Sequence, residues 1–181
     1  LTKKNKNLLI ERFKFVKDVT LVIPAKFESE SLPKVIGELQ KFFVNKIIVI
    51  PKNDYLTLNS IKKYKCKIIF QKKGGYGSAL TQGINKVKTK YFCIFNADGA
   101  FDPRYLKKMR AKLNKDNQFV FNTRYVKNAG SDDDTIITYI GNQIFTLICN
   151  ILFRLNISDV LFTYVMGSTK AFKSLKIESK G

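Results

Sequence analysis

Strand-length apolar runs alternating with helix-length amphipathic stretches constrain this chain more than any other feature. Val19–Pro24 (VTLVIP) reads as a buried strand. Leu32, Val35, Ile36, Leu39 and Phe43 then recur at helical spacing behind Ser31, a residue of the N-cap type. Residues 46–50 (KIIVI) and 67–70 (KIIF) predict two more strands, with a short helix near 56–64 between them. Glycines within 74–77 turn the chain into a helix expected over 78–87, and 91–95 (YFCIF) predicts a fourth strand. Pro103 is suited to the first turn of a helix running to about Leu113, because its missing N–H costs nothing there. Residues 119–125 predict a fifth strand. Such an order implies an α/β fold whose mainly parallel sheet is flanked by helices on both faces. Ligands of such sheets bind beyond the carboxyl ends of the strands, here Pro24, Ile50, Phe70, Asn96 and Arg124.

The 181 residues suit one domain, with 1–18 as a basic N-terminal extension and 19–181 as the folded unit. The chain starts without a methionine, as a fragment would, and truncation at the C-terminus is expected. Histidine is absent, which removes His-based acid–base chemistry, Ser-His-Asp triads and ordinary zinc sites. Carboxylates, Lys, Arg and Tyr remain. Cys66, Cys93 and Cys149 form no CxxC pair, which favours a reducing compartment and a cytoplasmic location. The opening LTKKNKNLLIERFK lacks the apolar core of a signal peptide.

A net charge of +19 favours an anionic partner: nucleic acid, an acidic membrane surface or a phosphorylated small molecule. Dispersed lysines on solvated faces account for it equally well. The chain shows no clustered Arg with interleaved aromatics and no reader motif, so nucleic acid is not expected. Residues 135–153 (TIITYIGNQIFTLICNILF) carry no charge. Thr138, Asn142, Thr146 and Asn150 repeat every four residues and draw one polar stripe along an otherwise apolar helix. That pattern suits a helix buried against the sheet or one lying in a membrane interface better than a membrane span.

The motifs at the predicted strand ends each admit two readings. PAKFESES, holding Pro24, Ala25 and Glu28, is a surface loop before a helix or the mouth of a ligand cleft. KKGGYGSALTQG fits neither G-x-x-x-x-G-K-[ST] nor G-x-G-x-x-G, since Leu80 stands where the last glycine belongs. It is a strand-to-helix turn, or a loop in which Lys73, Gly77 and the helix N-terminus receive negative charge. In IFNADGAFDP, Asn96, Ala97 and Asp98 either cap a buried strand or address one ligand, because i and i+2 on an extended end point the same way. An aspartate there suits Mg²⁺ or Mn²⁺. Asp102 is assigned to capping the next helix. Arg124 in NTRY serves a phosphate clamp or a structural ion pair, and the acids of GSDDD favour a helix dipole. Asp159 stands in an apolar neighbourhood, where carboxylates are rarely found without a partner.

In order, VTLVIPAKFESES, KGGYGSALTQGI, IFNADGAFDP, NTRY and ISDVLFTYVMGSTKAF resemble the motifs of family 2 glycosyltransferases, over about residues 19–175. The nearest likeness is to dolichyl- or polyprenyl-phosphate sugar transferases. The resemblance implies a single GT-A (Rossmann-like) domain, a nucleotide-diphosphate sugar donor, a divalent metal, and inversion at the anomeric carbon. It implies that Asp98 holds the metal and that Pro24, Ala25 and Glu28 form the donor loop. Arg124 would lie near the donor phosphates and Asp159 near the acceptor, a lipid phosphate or glycan. Contact with the cytoplasmic face of an anionic membrane follows for a lipid acceptor. Three positions depart from the pattern: Asn96 replaces the first acid of DxD, Pro51 and Lys52 replace an acidic pair, and Lys26-Phe27 replaces aromatic-Asn. A catalytically silent domain that binds a sugar nucleotide or a partner is the alternative they leave open.

Overall fold

The computed structural model describes residues 17–42, 44–125 and 135–177. Phe43, the GSDDD acids and almost all of the N-terminal extension lie outside these. Runs of Val and Ile become strands because branched side chains pack well on a pleated surface. β1 (Val19–Pro24) is buried at every residue but its last. The next elements are α1 (Ser31–Leu39), a 3₁₀ turn (Gln40–Phe42), β2 (Asn45–Pro51), α2 (Tyr55–Ser60), β3 (Lys67–Gln71), α3 (Tyr76–Asn85), β4 (Tyr91–Ile94) and α4 (Tyr105–Lys112). Then come β5 (Phe119–Phe121), α5 (Ile136–Phe153), β6 (Val165–Ser168) and α6 (Thr169–Ser174).

The strands form one sheet in the order β3-β2-β1-β4-β6-β5. β1 to β4 are parallel, with Val22 opposite Ile47 on one side and Ile94 on the other. β6 runs antiparallel between β4 and β5, an element the apolar pattern does not announce. Gly167 is opposite both Phe92 and Phe119, and a Cβ there would come within 2.5 Å of the Phe119 ring. The strand is therefore built around a glycine instead of an apolar run.

One face of the sheet buries Leu21, Ile23 and Phe95 against Ile36 of α1 and Leu106 of α4. The other buries Val22, Val49 and Phe92 against Ala79 and Ile84 of α3 and Phe172 of α6. α3 approaches so closely that a Cβ on Gly83 would collide with Val22.

Several local expectations are corrected. Ser31 lies inside α1, whose N-cap is Glu30, and its hydroxyl turns back to the Glu28 carboxylate. Pro103 precedes α4 by a turn. Asn122 to Tyr125 leave β5 as a loop, so Arg124 stands beyond the strand end. The largest correction concerns α5, whose polar stripe faces the protein from Asn142 to Asn150, while Thr138 is exposed and its hydroxyl donates to Thr135 O. Asn142 donates to the Tyr125 hydroxyl at 2.8 Å, Thr146 accepts from the Val160 N–H, and Asn150 pairs with both backbone groups of Ile157. The stripe serves the loops around α5 because their backbone groups need partners. Ile144, Leu147, Ile148, Ile151 and Leu152 point outward and are exposed. No helix among the described residues is long and apolar enough to cross a membrane.

Candidate functional site

The chain lays β1, β2 and β3 outward in one direction, then returns to place β4 on the other side of β1. This reversal splays the loops that follow β1 and β4 and opens a crevice at their carboxyl ends, where open α/β sheets bind ligands. The crevice has a volume of about 410 Å³. Of the residues expected in a site, Pro24, Ala25, Glu28, Asn96, Ala97 and Asp98 line it. Backbone bonds across the switch point set the spacing: Phe95 N–H donates to Val22 O at 3.0 Å and Ala25 N–H to Val49 O at 2.9 Å.

Asp98 is exposed at the rim of the crevice. Gly99, at φ +91°, folds the chain so that the Ala100 N–H reaches Asp98 Oδ1 at 2.9 Å. Asn96 faces Tyr76, whose hydroxyl donates to Asn96 Oδ1 at 3.2 Å and lies 3.4 Å from the Thr163 hydroxyl. Burial, aided by the Asp98 charge, raises the Tyr76 phenol above its ordinary pKa, so it remains a donor. Asp102 is not in the crevice; its Oδ1 accepts the Arg104 N–H at 2.8 Å and the guanidinium binds both oxygens.

The loop after β1 is braced from behind. Phe27 adopts φ +61°, a conformation L residues rarely hold without support. Its N–H donates to Asp54 Oδ2 at 2.7 Å, the Glu28 N–H donates to the Thr57 hydroxyl, and the Thr57 N–H returns to Asp54 Oδ1. Asp54 is 3% exposed. Burial alone would raise its pKa, but the bonds from Phe27 and Thr57 outweigh that and hold it below the usual carboxylate range. In the fold it braces the loop that follows β1.

The glycine loop closes the third side. Gly75 takes φ +90° and precedes α3, whose first N–H groups have no partner within the helix. Gln71 Nε2 donates to Gly75 O at 2.8 Å, which pins the turn. Gly75, Tyr76 and Ala79 line the space, whereas Lys73 and Gly77 sit beside it. Arg124 and Asp159 are brought together, but with each other: Arg124 Nε lies 2.9 Å from Asp159 Oδ2 and its NH2 3.2 Å from Oδ1. Asp159 is 1% exposed, and the pair is not among the residues that line the crevice.

Lys26, which the sequence marks only as a departure from the family pattern, also lines the crevice, as do Gln71, Tyr76 and Thr163, which no motif assigns to a site. Tyr76 had a signal, an aromatic set inside a glycine run. Thr163 had none, because only β6 carries it back to β4. Among the described residues no group of three or more His, Cys, Asp or Glu is placed to hold a metal.

The model of the family described as glycosyl transferase family 2 matches residues 20–176. An uncharacterized glycosyltransferase of Mycobacterium bovis and two of Mycobacterium tuberculosis are each 29% identical over 107 residues, 59% of this chain and 48% of theirs. The chain thus spans about half the length of these curated relatives. Among solved structures, mannosyl-3-phosphoglycerate synthase of Rubrobacter xylanophilus superposes with a TM-score of 0.67 at 14% identity, over 93% of this chain and 56% of that one. Glucosyl-3-phosphoglycerate synthase of Mycobacterium tuberculosis, in complex with phosphoglyceric acid, gives 0.64 at 14% identity, over 89% and 60%. At such identities the likeness is one of fold, and it is the GT-A fold expected from the motif order.

Proposed function

Because the chain belongs to glycosyl transferase family 2, we propose that it transfers a sugar from a nucleotide-diphosphate donor seated in the crevice between the ends of β1 and β4. The observation that carries this reading is the meeting of Asp98, Asn96 and Glu28 around one crevice at the switch point. The braced loop from Pro24 to Glu28 receives the nucleoside, with the Glu28 carboxylate accepting from base or ribose. Asn96 contacts a hydroxyl, and its partner Tyr76 holds the amide in place. The N-terminus of α3 and Lys26 favour the diphosphate. Lys73, next to that helix, adds positive charge.

Asp98 would hold Mg²⁺ or Mn²⁺. These ions need only one or two carboxylates when substrate phosphates and waters complete their shell, so a lone aspartate fits. Bound there, the ion would neutralise charge developing on the diphosphate leaving group. Displacement by an acceptor oxygen from the opposite side inverts the anomeric carbon. Asp159 and Arg124 flank the acceptor side as one ion pair, and we assign Asp159 to orienting Arg124.

The acceptor proposed is a phosphate ester, whose oxygen is anionic and needs no strong base, in keeping with the absence of histidine. The outward apolar face of α5 favours a lipid-borne phosphate at a membrane face. The two solved synthases, named for phosphoglycerate products, favour instead a small acid, whose accepting hydroxyl would need a general base. Transfer assays with Mn²⁺ and a donor panel, offering polyprenyl phosphate and 3-phosphoglycerate in parallel, separate these acceptors. Asp98→Ala is expected to lose at least about 10²-fold in turnover; an unchanged rate would remove Asp98 from the site. A second reading, a silent domain that binds sugar nucleotides, is favoured by Asn96 in place of an acid. Metal-dependent nucleotide binding by calorimetry, without turnover on any pair, would establish it.

A further inference from the structure

The lysines are not evenly spread. A second cavity, about 1110 Å³, opens at the amino ends of β1, β2, β3 and β4, the end of the sheet opposite the crevice. Six of its lining residues are lysines: Lys17, Lys46, Lys65, Lys67, Lys86 and Lys88. No Asp or Glu lines it among the described residues, whereas the crevice has one lysine, Lys26, beside Glu28 and Asp98. The floor is apolar, with Ile36, Val44 and Ile47, and the buried Thr20 hydroxyl lies 2.7 Å from that of Thr89.

Lysines after a helix complement its dipole, which accounts for Lys86 behind α3. It does not account for Lys46 and Lys67, which sit in strands, or for Lys17 and Lys65, which lead into them. Lys46 is half-buried, and its ammonium donates to Val44 O at 2.9 Å. Burial lowers its pKa, so an incoming anion would relieve a charge now held at a cost. Gathering this many like charges around one hollow is unfavourable unless something neutralises them.

We propose that this lysine-ringed cavity is an anion site separate from the crevice, taking a phosphate ester whose charged head meets the lysines while its body rests on the apolar floor. A concave site of this size suits a group that enters it better than a flat polyanion. The phosphate could be free or carried on a lipid headgroup, and two probes distinguish the sources. Calorimetry of the full chain with sodium tripolyphosphate reads the free anion. Co-sedimentation with phosphatidylcholine vesicles, with and without phosphatidylglycerol, reads the headgroup.

Binding to at least one probe is expected, weakening as salt rises. K65E/K67E/K88E, all at exposed positions, should weaken it about tenfold or more. K107E/K108E/K112E, the same charge change on α4, should leave it within about twofold. Metal-dependent nucleotide binding in the crevice should survive in both variants, so this site can fail without the donor site failing. Equal losses in the two variants, or no binding to either probe at physiological salt, would overturn the proposal. Tighter binding of duplex DNA than of either probe, lost in the first variant, would overturn it in favour of a nucleic-acid face.

Discussion

At the scale of single residues, the site depends on groups that touch no substrate. Asp54 accepts the N–H of Phe27, a residue held at positive φ. Asp54→Ala should therefore cost about 1–3 kcal/mol, with donor affinity falling alongside stability. Denaturant titration and nucleotide binding on the same variant check both. The pH dependence has a definite sign. A carboxyl whose folded-state pKa is depressed adds stability above its unfolded value, about 4, and loses it as pH falls through the folded value. Acid unfolding of Asp54→Asn should lack that component. Arg124 and Asp159 give an unequal pair of variants. Arg124→Ala strands a carboxylate that is 1% exposed, at about 3–5 kcal/mol, while Asp159→Asn keeps a hydrogen-bonding group and should cost less. Thermal melts of the two variants give the order.

Among the elements, α5 and α3 make opposite use of small and polar residues. α5 is an 18-residue helix, about 27 Å long, that turns its amides inward, where Asn142 meets the Tyr125 hydroxyl and Asn150 meets the backbone of Ile157. Asn150→Leu should cost about 2–3 kcal/mol, since two bonds to Ile157 vanish and its backbone is left without them. A leucine on the exposed outward face, Ile151→Leu, should be silent. α3 needs a glycine where it crosses β1 and β2. Gly83→Ala gains helix propensity yet should destabilise by about 1–3 kcal/mol, because Val22 and Val49 are backbone-anchored and cannot yield. Urea midpoints of these variants test both arguments.

For the whole molecule, the crevice exists because the sheet order reverses beside β1, so its occupancy couples to global stability. A nucleoside diphosphate with Mn²⁺ at about 100 times its Kd should add about 2.7 kcal/mol. For a domain of this length that corresponds to a rise in Tm of about 5–10 °C. Scanning calorimetry should find the rise in the parent chain and lose it in Asp98→Ala. A rise that survives in the variant would place the metal elsewhere.

Local chemistry written in the chain was sufficient for the α/β alternation, the parallel β1 to β4, and the residues of IFNADG and PAKFE that line the crevice. Apolar periodicity and turn residues act over a few positions, so they survive reading in one dimension. What depended on distant partners was not legible. β6 is built on a glycine that only two phenylalanines explain. Asp54 is a brace only because Phe27 lies across from it. The stripe on α5 was visible, but its direction was not, since a polar stripe can face water or buried backbone and only the neighbouring loops decide. The lysines were countable from the start. Their collection at the amino ends of the strands required the sheet, because residues from 17 to 88 meet there only when four strands lie side by side.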